Sequence, residues 1–147
     1  MTTREKAGRQ YWQDVLNAGG FTAIPRWTLH PKPGIGAHDV TMPDGLVASL
    51  RRVAHELDLS LDSIVFAAHA KVLAALSGET GVVAGYVPPD GGPSLPCRVL
   101  TETDSWANLL SSAHRVAREL KVHSAYPVVD LRSESGLVEP VFETVFD

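Results

Sequence analysis

The side chains that could do chemistry in this 147-residue sequence are six histidines, one cysteine and scattered serines. The histidines stand at positions 30, 38, 55, 69, 114 and 123. No two are adjacent, none forms an i, i+4 pair and none has the spacing of zinc ligands, so metal binding is not expected. A serine nucleophile needs a sharp elbow with a base in reach, and no Gly-x-Ser-x-Gly occurs. Cys97 would need a basic neighbour to become a thiolate. Arg98 follows it in sequence, but on a strand successive side chains point to opposite faces, and Cys97 is read as core. His69 lies alone on an apolar helix and is read as a packed, hydrogen-bonded residue rather than a catalytic imidazole tuned by burial. Gly34-x-Gly36 lacks the third glycine and the preceding strand of a dinucleotide loop, and is read as a turn.

The frame for these residues is one domain's worth of chain, long enough to bury about two-thirds of its unfolded surface without a disulfide or metal staple. Seventeen acidic against thirteen basic residues give a formal charge of −4, and the basic residues are scattered. Nucleic acid is not an expected partner. A single cysteine cannot form an internal disulfide, and no leader pattern opens the sequence, which points to the cytoplasm. The longest apolar segment, residues 64 to 76, is far too short to span a bilayer, so no membrane association is expected.

The centre of the pattern is Ser60 to Val87. Ser60 can serve as an N-cap, and Gly78 sits where a helix turns left-handed and stops. Between them only His69 and Lys71 break the apolar run from Ile64 to Leu76, which predicts a central buried helix with almost no solvent face. Val82 to Val87 reads as a strand covered on both sides. Pro88-Pro89-Asp90-Gly91-Gly92-Pro93 is a turn, and Ser94 to Leu100 returns as an antiparallel neighbour. Upstream, residues 4 to 17 form a helix with Tyr11, Val15 and Leu16 on one face, and Phe21 to Gly36 crosses the surface in extended form. Ala37 to Met42 is read as an edge strand. Pro43 opens an amphipathic surface helix carrying Leu46, Leu50, Val53 and Leu57. Downstream, Thr103 or Asp104 caps a long helix whose apolar stripe is Trp106, Leu109, Leu110, Ala113, Val116, Ala117 and Leu120. Ser133 to Gly136 is loop, and Val141 to Phe146 is a closing strand. Alternating helices and strands make the class α/β, with a small mixed sheet covered by helices.

Several segments together resemble the condensation domains of nonribosomal peptide synthetases, within the chloramphenicol acetyltransferase-like superfamily. Tyr11-Trp12 with Leu16 resembles the Tyr-Trp helix that leads out of the first lobe of those domains. Phe66-Ala67-Ala68 through Leu73, Leu76, Ser77, Gly78 and Glu79 resembles their Ala-Ala…Leu…Ser-Gly-Glu helix, and Val82 to Gly85 the strand after it. Ser94 to Val99, with Arg98, is similar to Thr-Leu-Pro-Leu-Arg-Val, and Ser105-Trp106 with Leu109-Leu110 to the Ser-Phe…Leu-Leu helix. His123 to Leu131, with Pro127, is similar to His-x-x-x-Pro-Phe…Leu with Val128 for Phe, and Pro140 to Glu143 to Pro-Leu-Phe-Gln. These run in family order over residues 9 to 147.

The resemblance implies half of a chloramphenicol acetyltransferase-like fold, with residues 1–147 one truncated domain holding only part of the second lobe. The motif residues carried over are Tyr11, Trp12, Gly78, Gly85, Arg98, His123 and Pro127, in structural roles; His123 would sit at a helix end, where positive charge suits the dipole. The family's paired catalytic histidines have no counterpart, and the Pro-Pro-Asp-Gly-Gly-Pro turn replaces the longer loop that closes the active-site tunnel. By the same resemblance the expectation is a non-catalytic scaffold or docking domain beside an adenylation domain or a carrier protein. It would bind no cofactor directly, the phosphopantetheine arm residing on the carrier. The alternative is half of a split acyl or peptidyl transferase whose histidines come from another chain, and a blander one is an unrelated α/β domain. Val141, Phe142, Val145 and Phe146 are more than one face can bury, so self-association as a homodimer, or pairing with a partner, is expected through that strand or the helix at 104 to 121.

Overall fold

The computed structural model describes residues 2–137 and 140–147. Its sheet has the order β2-β1-β3. The central strand β1 (Gly81–Tyr86) pairs antiparallel with β2 (Leu95–Leu100), Val82 opposite Val99 and Tyr86 opposite Leu95. On its other side β1 pairs in parallel with the short β3 (Val145–Phe146). The sheet is therefore mixed. The turn between β1 and β2 is closed by the Gly91 N–H donating to the Pro88 carbonyl, 2.8 Å, because six residues with two glycines can only reverse the chain.

One face of the sheet is apolar and covered by helices. Val82, Ala84, Tyr86, Leu95, Cys97 and Val99 meet Phe66, Ala67, Ala70 and Leu73 of α3 (Leu61–Ser77) and Leu109, Leu110, Ala113 and Leu120 of α4 (Trp106–His123) in a single core. Burial of this kind is worth about 25 cal/mol per Å² of apolar surface and sets the register, since a one-residue slip would turn every side chain over. The opposite face is covered by loop: Gly20 approaches Val83, and the Phe142 ring lies so close to Gly85 that a Cβ there would sit 2.6 Å from it. Thr22, fully buried, accepts from the Val83 N–H at 2.8 Å and donates to Glu79. This hydroxyl takes the β1 donor that a longer β3 would have taken.

The ends of α3 are formed as its sequence dictates. Ser60 accepts from the Ser63 N–H, and Gly78 adopts φ +76°. Its predicted all-round burial is not observed. Ala68, Lys71, Val72, Ala75 and Leu76 form an exposed stripe, Val72 at 57% and Leu76 at 42%, because α2 (Asp44–Glu56), α4 and β1 occupy only the remaining faces. In α1 (Thr3–Ala18) the residue at the centre of the contact is Trp12, fully buried, with Tyr11, Val15 and Leu16 half-buried around it.

Four further expectations are corrected. Ala37 to Met42 forms no strand and pairs with neither β2 nor β3, the two edge strands of the sheet. The cap of α4 is Ser105, whose hydroxyl accepts from the Asn108 N–H, rather than Thr103 or Asp104, and Trp106 at the helix start is 60% exposed. Ser133 and Glu134 belong to a short helix, α5 (Val128–Glu134), which starts after Pro127 because proline suits a helix's first turn as well as it breaks an interior. The closing strand shrinks from residues 141–146 to 145–146, as Phe142 turns over Gly85 instead of continuing the ladder. Among the described residues, no single helix is long and apolar enough to cross a membrane.

Candidate functional site

The motif residues separate into two groups. Tyr11, Trp12, His123 and Pro127 meet where α1 crosses the end of α4. The Trp12 Nε1–H donates to the His123 carbonyl oxygen at 3.1 Å, and the Tyr11 ring stacks on the His123 imidazole with centroids 4.4 Å apart and planes 20° apart. Tyr11 also meets Trp12 edge-on at 5.0 Å. Pro127 is the N-cap of α5, and its neighbour Tyr126 packs on Gly8, where a Cβ would sit 3.1 Å from the ring. Burial, with Glu119 nearby, pushes the Tyr11 phenol above its ordinary range, so it stays a neutral packing group. Beside this seam lies a cleft of about 510 Å³ lined by Thr2, Arg4, Gly8, His123, Tyr126 and Pro127. Here the imidazole is a stacked ring in a cleft that Glu5 also lines, and no hydrogen bond joins the two side chains.

Gly78, Gly85 and Arg98 lie elsewhere. Gly78 ends α3, and Gly85 gives Phe142 its seat. Arg98 points away from Cys97 and donates to the carbonyl of Ala18 at 3.3 Å, tying β2 to the end of α1. Cys97 is buried, its thiol 3.2 Å from the Ala84 carbonyl, and burial pushes it up to about 12. Such a thiol supplies almost no thiolate at neutral pH.

Two arrangements were not legible in the sequence. The Ser60 hydroxyl lies 2.7 Å from that of Ser63, which lies 2.8 Å from Nδ1 of His114 on α4. Serine against imidazole is the geometry of an activated nucleophile, but Ser63 is 2% exposed and no carboxylate orients His114 among the described residues. The chain of hydroxyls fastens the start of α3 to α4. Positions 63 and 114 are joined only by the fold, and no spacing rule connects them.

His69 departs from the hydrogen-bonded core residue expected of it. Its ring lies 5.5 Å from that of Phe146, which also contacts Phe66 at 5.2 Å, and its buried Nε2 has no hydrogen-bond partner among the described residues. Burial lowers its pKa, because an apolar wall disfavours the cation. Among the described residues no group of three or more His, Cys, Asp or Glu side chains could hold a metal ion.

No family model matches the chain. In sequence it is similar to AMB antimetabolite synthetase AmbE of Pseudomonas aeruginosa, 28% identical in an alignment 142 residues long that covers 86% of this chain and 6% of that protein. It is also 26% identical to the nonribosomal peptide synthetase fso1 of Omphalotus olearius, over 92% of this chain and 3% of that one. In structure it is similar to the X-domain from teicoplanin biosynthesis, with a TM-score of 0.75 at 19% identity, covering 96% of this chain and 36% of that domain. The first condensation domain of the calcium-dependent antibiotic synthetase superposes with a TM-score of 0.68 at 20% identity, covering 97% and 35%. The chain thus spans a few per cent of its curated relatives and about a third of the solved domains. Its fold is that of part of a condensation domain, and the sequences it resembles are nonribosomal peptide synthetases.

Proposed function

We propose that this chain is a non-catalytic, condensation-like scaffold or docking element in nonribosomal peptide biosynthesis, adjoining an adenylation domain or a carrier protein that bears phosphopantetheine. One observation carries this reading: the potentially reactive side chains of the folded core are engaged in packing. His123 is stacked on Tyr11, Ser63 is buried against His114, Cys97 is held as a thiol in the core, and His69 faces aromatic rings. General acid–base catalysis contributes about 10²–10⁴-fold, and the paired histidines that the resemblance would require for it have no counterpart in this sequence.

The test is aminoacyl and peptidyl transfer between carrier-bound substrates with the purified chain alone. The expected result is a rate equal to the uncatalysed control. Turnover that disappears in His123→Ala or His69→Ala would overturn the reading. A second reading is half of a split acyl transferase, favoured by the exposed apolar stripe of α3, a surface suited to a facing lobe. Transfer that appears only when a separate lobe bearing paired histidines is added would establish that one instead.

A further inference from the structure

The short strand β3 is held by two backbone hydrogen bonds, from the Gly85 N–H of β1 to the Thr144 carbonyl at 2.8 Å and from the Val87 N–H, just past β1, to the Phe146 carbonyl at 2.9 Å. The side chain that seats it is Phe146, half-buried, whose ring lies 5.2 Å from Phe66, 5.9 Å from Tyr86 and 5.5 Å from His69, centroid to centroid. This seat is imperfect. Nε2 of His69 and the hydroxyl of Thr144 are both buried without a hydrogen-bond partner among the described residues. Folded chains rarely leave such groups unpaired, and each favours any state in which water reaches it.

A proton on His69 sharpens that conflict, because the cation would lie against Phe146 with no acceptor for its buried Nε2–H. The attraction of a cation for an aromatic face is smaller than the cost of burying a charge unpaired. No neighbouring charge compensates. Burial alone moves the titration of His69, downward, so Asp62 and Lys71 on its own helix, Tyr86 on β1, Glu143 and Asp147 beside β3, and the charged residues of α2 and α4 do not act on it. Of the two elements that enclose the ring, α3 is capped at both ends and packed into the core, whereas β3 has only two bonds to lose.

We propose that His69 and Phe146 form a pH-sensitive latch: protonation of His69 unseats the Phe146 ring, and the segment from Thr144 to Asp147 lifts from β1. The movement stops there, because Phe142 rests on Gly85 and Glu143 pairs with Arg26, at the root of the arm from Phe21 to Met42 that contains no helix or strand. Lifting lets water reach the imidazole and the Thr144 hydroxyl, and it frees the Gly85 and Val87 donors. The lifted form takes up the proton more readily, so the latch is closed above pH 6.5 and opens as the pH falls below it. A strand edge covered at neutral pH is thereby exposed in mild acid. This does not depend on whether the chain is a scaffold or half of an enzyme.

Amide hydrogen exchange of the whole chain, read by nuclear magnetic resonance between about pH 7.5 and about pH 5 and expressed as protection relative to the unfolded rate at each pH, tests it. Protection at Gly85 and Val87 should fall by about fivefold or more across that range and stay below that of Val82 and Ala84, which face β2. His69→Phe should abolish the fall, and His69→Leu replaces it if circular dichroism shows that the first variant does not fold. In Phe146→Ala, protection at Gly85 and Val87 should be low at every pH. The His69 imidazole should then titrate nearer its ordinary 6.5, because coupling between two groups is reciprocal. Protection independent of pH, a fall that persists without His69, exchange of Gly85 and Val87 only together with Val82 and Ala84, or a His69 titration unmoved by Phe146→Ala would overturn the proposal.

Discussion

Trp12 and Trp27 stand on either side of the end of α1 and meet opposite fates. Trp12 is wholly enclosed, its indole N–H bonded to the end of α4, while Trp27 is 95% exposed on a stretch outside any helix or strand. The residue type is the same. What differs is whether another element faces it. Large apolar side chains stabilise only where something excludes water from them, and the α1–α4 seam provides that while the arm does not.

That contrast fails if the two regions respond alike to substitution. Trp12→Ala should remove about 3–5 kcal/mol of stability, by the usual cost of deleting a buried aromatic, and chemical denaturation monitored by circular dichroism measures it. Ser63→Ala should cost about 1–3 kcal/mol, since it leaves His114 and Ser60 without their shared buried partner; the same denaturation series reads it.

A pH-dependent effect sharpens the contrast between ordered core and exposed arm. His69 has its folded pKa lowered from 6.5 by burial, so the unfolded chain takes up the proton more readily. Stability should therefore be complete above pH 6.5 and fall as the pH drops below it. His69→Phe, which fits among the same rings, should flatten that part of the profile, whereas His38→Phe in the arm should leave it unchanged. The smallest effect is expected of Trp27→Ser: at concentrations too low for association, the unfolding free energy should move by no more than about 0.5 kcal/mol.

Much of the frame can be read directly from residues. Ser60 and Gly78 mark the limits of α3, the double-glycine turn sets β1 against β2, and the alternation around Cys97 places it inward with Arg98 outward. These features are local, and local rules suffice for them. The outer stripe of α3 is different, because apolar composition says that a face needs covering without saying that the cover is present in the same chain. The edge strand expected at 37–42 fails for the same reason, its pattern being right and its partner missing. Phe142 over Gly85 shortens β3 through a contact between distant positions, and the pairing of Ser63 with His114 is equally remote in sequence. Tyr11, Trp12 and His123 are marked individually by their motifs, but that Tyr11 stacks on the His123 ring while Trp12 donates to the carbonyl of His123 is tertiary information.

The hydroxyl of Thr22 makes β1 a strand whose amides keep separate time. On its β3 flank, the Val83 N–H is held by Thr22, and those of Gly85 and Val87 by the Thr144 and Phe146 carbonyls at 2.8 and 2.9 Å, while the amides between them face β2. In deuterium oxide, exchange at Val83 would then record the root of the arm coming loose, exchange at Gly85 and Val87 the detachment of β3, and exchange at Val82 and Ala84 the opening of the hairpin itself. Thr22→Ala should speed the first of these clocks and leave the hairpin amides slow, so three motions of one small domain can be followed separately along a single strand.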